Sequence, residues 1–314
     1  MPEFLAVNGM GPSINSAMHR SATATAITAT ELDLVLQAAM ADESLELPPP
    51  PEVAVEVTRL TRSDMSDDGS ADASSAELAR LIQRDVALAG QVMRVANSAL
   101  YVRRSPVVTL PQAIARLGTR EIRTIAFAVA VQGQVFASTY FRREMTELWR
   151  ESVITALFAQ EIARLKRRNG ESAYLCGLLH RVGLAVALGR VGAAALTHRL
   201  SPDAGVVLQF AREHEARVGT QLAASWNLPP AVGASIAHWP NPLEATEWRS
   251  EVMEVALARQ ISDELRTPGI GGELPDSMLG PVSKWMDELS IYPDELFSIM
   301  AQRAAIHATA ESFT

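Results

Sequence analysis

His180 and Arg181 are the residues whose types first raise a chemical question. They stand together in Tyr174-Leu-Cys-Gly-Leu-Leu-His-Arg-Val-Gly-Leu-Ala-Val-Ala-Leu188, a stretch with no other charge. A histidine in apolar surroundings that stays neutral offers a divalent metal ion a ring-nitrogen lone pair. The arginine beside it has no lone pair to give and never loses its charge. His214, in Arg212-Glu-His-Glu-Ala216, and His238, beside Trp239-Pro240, are the other histidines that could join a site. Simpler readings outweigh a three-histidine centre. They are a hydrogen-bonded core histidine at 180, a solvated one at 214, and at 238 a polar side chain suited to a helix C-terminus. Cys176 is the one cysteine and reads as a small core residue. A single cysteine excludes a disulfide framework and a thiolate zinc cluster, and fits a reducing cytoplasm. No serine sits in an elbow motif, and no phosphate-binding or dinucleotide glycine fingerprint occurs.

The second candidate chemistry is basic. The net charge is −8 over 314 residues, unevenly spread. Residues 1–79 carry 3 basic and 13 acidic groups, residues 80–168 carry 15 and 6, and residues 169–314 carry 10 and 17. Arg103, Arg104, Arg116, Arg120, Arg123, Arg142 and Arg143 could form one patch for a phosphate-rich ligand such as a nucleotide. The plainer alternative is that the acidic ends neutralise the middle within one fold. Only Tyr101, Tyr140 and Phe141 accompany these arginines, so base stacking has little to work with and nucleic acid is a poor partner.

The elements that must position these residues are helical. The central stretch is apolar on more than one face, which marks a buried helix. It is read as one helix, too short before Gly189 to span a membrane. The chain has no signal peptide pattern. Thr30 can cap a helix Glu31–Ala41, and Leu47-Pro-Pro-Pro-Pro-Glu52 leads into another carrying Val53, Val57 and Leu60. An acidic Ser/Gly-rich loop, Ser63–Ser75, precedes Ala76–Arg84. Asp85 caps Val86–Ala96, and Asn97 closes it as a residue that tolerates the left-handed conformation. Thr109 opens a short helix to Leu117, Gly118 ends it, and Glu121–Val135 follows. Thr139–Arg168 is long and ends in a solvated basic run, Lys166-Arg-Arg168. Val206–Trp226, a helix from Leu228-Pro-Pro230 to His238, and Val252–Leu265 come next. A loop, Thr267–Pro275, leads to Met278–Leu289 and Asp294–His307. No alternating strand pattern competes, so the expected class is all-α.

Several of these motifs belong together. Leu47-Pro-Pro-Pro-Pro-Glu52 is followed by Leu81-Ile-Gln-Arg-Asp-Val-Ala-Leu88, Asn97-Ser98-Ala99, Ala113-Ile-Ala-Arg-Leu-Gly118 and Leu148-Trp-Arg-Glu-Ser152. Gly177-Leu-Leu-His-Arg-Val-Gly183, Trp226-Asn-Leu-Pro229 and Ile236-Ala-His238 complete the series. In this order they resemble the HDOD domain, the HD-related output domain of bacterial signalling proteins, over residues 46–265. The resemblance implies two helical lobes in one unit, about 46–138 and 139–265, the second similar to HD-type metal-dependent phosphohydrolases. Residues 1–30 then form a flexible arm, 31–265 the domain and 266–314 a C-terminal helical extension.

Those hydrolases hold a divalent metal with a His, a His–Asp pair and a later Asp. Carried over by position, three of the four ligands are changed here: Glu151, Arg181 and Arg259 stand in their places, and only His180 keeps its type. His238 is the remaining position that the resemblance marks. With two guanidiniums in the ligand set, no metal or cofactor is expected, and Glu151 opposite Arg181 or Arg259 becomes an ion pair. The chain is expected to be a non-catalytic cytoplasmic signalling module that binds a protein partner. The alternatives are a nucleotide or phosphate sensor built on the basic lobe, and a phosphohydrolase with a rearranged site.

Overall fold

A computed structural model describes residues 29–41, 46–51, 80, 82–102, 105–200, 202–264 and 276–313. Outside them lie the arm up to residue 28, the expected helix carrying Val53 to Leu60, the loop Ser63–Ser75, the loop Thr267–Pro275, and Arg103 and Arg104. Of the expected helix Ala76–Arg84, residues 80 and 82–84 are described, and they are helical.

No strand occurs among the described residues, as the sequence predicts. We number the helices α1 Ala29–Met40, α2 Val86–Ala96, α3 Leu110–Val131, α4 Arg142–Leu165, α5 Gly170–Leu179 and α6 Val182–Thr197. They continue as α7 Ala204–Ser225, α8 Pro230–His238, α9 Arg249–Glu264, α10 Asp276–Leu289, α11 Pro293–Ala301 and α12 Arg303–Glu311. A π-helical turn, Gln132–Phe136, follows α3.

Local chemistry sets the boundaries. The Leu88 N–H donates to Asp85 Oδ1 at 3.0 Å, so Asp85 satisfies one of the orphan donors that begin α2. Thr109 does the same for Gln112 at the start of α3. Gly118 (φ +78°, ψ 162°) then kinks α3 with a backbone that a side chain would strain. The short helix expected before Gly118 and the helix Glu121–Val135 expected after it are the two arms of this kinked one, the second passing into the π-helical turn after Val131.

Two expectations are corrected. The stretch 174–188 is not one helix. The chain breaks at Arg181 (φ −118°, ψ 19°), and the second half runs through Gly189 to Thr197. On either side of the break, residues 173–188 are buried except for the partly buried Leu175, so no polar stripe marks the break in the sequence. Taken together, residues 170–197 are long and apolar enough for a membrane span, but 83% of their most apolar window is buried inside the fold. Likewise, Asp294–His307 divides at Gln302 (φ −79°, ψ −2°) into α11 and α12.

The core is continuous across both lobes and includes Ile306, Ala310 and Phe313 near the end of the chain. At its centre is α4, with Trp149, Val153, Leu157, Phe158 and Ile162 buried. A buried carboxylate ties the lobes together. Glu121 of α3 accepts from the Tyr101 hydroxyl, from Arg164 Nη2 at 3.0 Å and from Gln160 Nε2 at 3.4 Å, the last two on α4.

Candidate functional site: an arginine–carboxylate cluster

Two close helix crossings assemble the site. A Cβ on Gly177 would lie 2.7 Å from Ala156 Cα, so α5 packs directly on the α4 backbone one turn past Glu151. A Cβ on Gly183 would lie 1.9 Å from the Glu215 carbonyl oxygen and 2.6 Å from the Gly219 nitrogen, so the start of α6 touches the α7 backbone. These contacts hold the α5–α6 break, with His180 and Arg181, between Glu151 on α4 and Glu215 on α7. From α9 come Arg259 and Asp263.

Arg181 Nε donates to Glu215 Oε1 at 3.0 Å and its Nη2 to Oε2 at 3.5 Å. Its Nη1 lies 3.7 Å from Glu151 Oε2. Arg259 Nη1 stands 3.1 Å from the same Glu151 oxygen, without the alignment of a hydrogen bond. Arg259 Nη2 reaches Asp263 Oδ1 at 2.7 Å. Both arginines are buried residues at 8% exposure. The result is a chain of alternating charge, Glu215–Arg181–Glu151–Arg259–Asp263, that joins four helices. Burial pushes the Glu215 carboxyl up, and Arg181 pulls it back toward its charged form.

His180 is fully buried at the edge of this cluster. Its Nδ1 is 2.6 Å from the Gly177 carbonyl, so Nδ1 carries the proton and donates. Nε2 is left as a buried lone pair with no hydrogen-bond partner. Burial, then Arg259 and Arg181, hold the imidazole well below its usual pKa, so it is neutral. The Trp239 ring packs edge-on against it at 5.1 Å and also faces the Arg181 guanidinium at 5.7 Å.

This donor set does not fit a divalent cation. His180 Nε2 is a suitable donor and Glu151 a suitable carboxylate, but the same Glu151 oxygen faces two guanidiniums. At an effective dielectric of about 20, a unit charge roughly 5 Å from a divalent ion costs several kcal/mol. Glu215 and Asp263 offset that charge, but both are engaged by the same arginines, and a guanidinium has no lone pair to give a metal where a carboxylate would. Among the described residues no group of three His, Cys, Asp or Glu side chains could hold a metal. The three-histidine alternative does not assemble. His238 ends α8, and His214 packs edge-on against Phe210 at 4.7 Å, where burial and Arg217 hold its imidazole below the usual pKa.

The arginine patch is less available than its composition implies. Arg116 is spent on the Ala96 and Ser105 carbonyls at 3.3 and 2.6 Å. Arg123 lies 3.2 Å from Glu171 on α5. Arg143 pairs with Glu147 one turn along at 3.1 Å, and Arg120 and Arg142 are exposed. The expected solvated run at 166–168 is also corrected. Lys166 reaches Glu295 at 2.6 Å, and Arg168 reaches the buried Glu254 at 3.0 Å. Asn97 does close α2, but not in the left-handed conformation (φ −101°, ψ 3°). Its amide instead exchanges two hydrogen bonds with the Val107 backbone, at 2.9 and 2.7 Å. Ser98 Oγ donates to the Val95 carbonyl at 2.8 Å and accepts from Thr309 at 3.0 Å.

Glu215 and Asp263 are the cluster residues that sequence reasoning missed. Glu215 lies in the polar-looking run Arg212–Ala216, yet it continues the buried α7 stripe of Val207, Ala211, Val218 and Leu222. A charge on an apolar stripe was the signal.

With this geometry established, comparison with known proteins is informative. The HDOD domain family matches the chain over residues 47–242. A Treponema pallidum protein of uncharacterised role is 26% identical over 236 residues, 71% of this chain; the chain spans only 43% of that protein's length. An HDOD domain protein of unknown function from Geobacter sulfurreducens superposes with a TM-score of 0.67 at 22% identity, covering 90% of this chain and 99% of its own. A candidate metal-dependent phosphohydrolase from Shewanella amazonensis gives 0.66 at 23% identity, with 90% and 98% coverage. A candidate signal transduction protein from Marinobacter aquaeolei gives 0.62 at 21%, with 90% and 66% coverage. At these identities the neighbours speak to the fold alone.

Proposed function

Because the chain belongs to the HDOD domain family, we propose that it is a non-catalytic cytoplasmic signalling module that acts by binding a protein partner. In this reading the pocket that holds a metal in HD-type hydrolases has become a structural ion-pair cluster. The observation that carries the proposal is the placement of Arg181 and Arg259 against the same Glu151 oxygen, at 3.7 and 3.1 Å. A guanidinium supplies positive charge permanently, but it cannot bind or acidify a water as a metal does. Without an activated water, His180 has nothing to orient for hydrolysis, and its Nε2 is sealed inside the core. What such a domain can still do is offer a shaped surface.

The phosphohydrolase named among the structural neighbours marks the competing reading. Purified chain is to be incubated with a panel of phosphomonoesters and phosphodiesters in the presence of manganese, magnesium or zinc. The proposal expects no turnover above a buffer control. Metal-dependent turnover that disappears in Glu151→Ala and in His180→Ala would overturn it. The phosphate-sensor alternative loses support from Arg116 and Arg123, whose guanidiniums are committed to internal partners.

A further inference from the structure

Trp248 stands where neither local chemistry nor burial accounts for it. Its carbonyl accepts the first helical bond of α9, from the Val252 N–H at 3.0 Å, so it holds the N-cap position. That position favours small polar residues in an extended conformation. Trp248 is instead left-handed, at φ +53°, a region that a bulky side chain enters only under strain. Arg167, Arg199, Asn227 and Ser290 also have positive φ, but all four follow helix C-termini, where it is ordinary. Phe141 has it at the start of α4, and there the ring is partly buried against the core. Trp248 is 44% exposed, and its indole N–H has no partner among the described residues. Strain that packing does not explain marks a residue held for function.

The loop that presents it is fixed along its length. Trp239 begins it, packed edge-on against His180 at 5.1 Å and facing Arg181 at 5.7 Å. A 3-10 turn, Pro242–Glu244, buries Pro242, and Ala245 after it is buried too. Arg249 then straps the loop down. Its Nη1 donates to the Leu243 carbonyl at 3.1 Å, while Nε and Nη2 reach the two Glu288 oxygens at 2.8 and 2.9 Å. Leu243, 40% exposed, is thereby held beside the start of α9. The charge around these two apolar residues is negative. Glu244 and Glu247 are exposed, and their carboxylates have no partner among the described residues. Glu251 follows on α9, and Lys284 lies one turn from Glu288 on α10. Arg249, the cation within the loop's reach, is already taken by Glu288.

An exposed indole beside uncommitted carboxylates suits a guanidinium, which stacks on the ring and donates to the oxygens at once. Tryptophan is also prominent among the residues that carry binding energy at protein interfaces. We propose that Trp248, Leu243, Glu244 and Glu247 form the docking site for a basic segment of a protein partner, with an arginine seated on the Trp248 ring. This gives the surface and the partner chemistry for the protein-binding reading above, and rests on it.

The test uses the full chain and a short synthetic peptide of alternating arginine and leucine. In the isotope-labelled chain, the Trp248 indole N–H resonance, assigned through Trp248→Phe, should shift saturably on adding peptide. By anisotropy of the fluorescein-labelled peptide, Glu244→Gln with Glu247→Gln should weaken binding at least fivefold, and Trp248→Gly at least tenfold. Glycine adopts the left-handed backbone freely, so Trp248→Gly should melt no lower than the parent. The same peptide with glutamate for arginine should not bind. An unmoved Trp248 resonance in large peptide excess, or equal affinity for the parent and Trp248→Gly, overturns the proposal. A Trp248→Gly chain that melts well below the parent also overturns it, because the ring would then be structural. Self-association that Trp248→Gly abolishes, seen by sedimentation, overturns it in favour of a second copy of the chain. None of these failures touches the non-catalytic reading, which falls only to metal-dependent turnover.

Discussion

Arg181 and Glu215 meet edge to edge, 34 residues apart in sequence, with Nε to Oε1 at 3.0 Å and Nη2 to Oε2 at 3.5 Å. Glu151 lies on the other side of the same guanidinium. Arg181 is therefore held between two carboxylates, in the manner of an internal cation. A buried pair need not add much net stability, but removing one partner leaves a charge stranded. Glu215→Ala should lower unfolding free energy by about 3–5 kcal/mol. Arg181→Asp, which gathers three carboxylates, should cost at least as much. Denaturant titrations check both, and a midpoint within error of the parent for Arg181→Asp would show that the cluster carries no structural charge.

Gly183 sets that geometry. A methyl group there would sit 1.9 Å from the Glu215 carbonyl oxygen, which is backbone and cannot rotate away. Gly183→Ala should force α6 off α7 and cost about 3 kcal/mol or more, at the upper end of overpacking effects. The loss should not add fully to that of Glu215→Ala, because the pushed helix carries the same carboxylate. A double-mutant cycle measures this.

Asn97 offers a different mechanism from the cap read in the sequence. Its amide pairs with both backbone groups of Val107, so Asn97→Ala leaves a largely buried N–H unmatched. The expected cost is about 2 kcal/mol. Asn97→Asp keeps the acceptor for the Val107 N–H and should cost less. Equal losses for the two variants would contradict the paired geometry.

Glu254 gives the stability a pH dependence. Burial raises its carboxyl from the ordinary 4.5 to about 7, against the pull of Arg168. A carboxyl whose folded pKa is raised binds its proton more tightly in the folded state. Its contribution is complete below pH 4.5 and is lost as pH rises toward 7. Glu254→Gln should therefore be neutral near pH 4 and stabilising by up to about 3 kcal/mol at pH 8. Melting temperatures of parent and variant across that range decide it. A variant that melts below the parent at pH 8 would mean that the pair with Arg168 outweighs burial.

What the sequence revealed and what it hid divide along locality. The Asp85 and Thr109 caps and the Gly118 kink depend on residues within one turn, and they stand where the local chemistry put them. The break at Arg181 was hidden because the chain is apolar on every face from Ala173 to Leu179 and from Val182 to Leu188, so no change of pattern marks it. Lys166 and Arg168 looked solvated because their carboxylates come from 129 and 86 residues away. The positions of Glu151, Arg181 and Arg259 came from the family resemblance. That all three charges meet in one chain, with Glu215 and Asp263 added, required the packing of four helices.

The central claim is that Arg181 and Arg259 close the pocket to metal. It is tested most directly by metal content and metal-dependent melting of the purified native chain. After dialysis against manganese or zinc and then against metal-free buffer, elemental analysis should find far less than one metal per chain. The melting temperature should not rise in excess metal, because only a ligand that binds the folded state raises it. The triple variant Glu151→His, Arg181→Asp, Arg259→Asp should instead gain stability on adding either ion. Close to one metal retained per native chain, with a higher melting temperature that Glu151→Ala abolishes, would contradict the account.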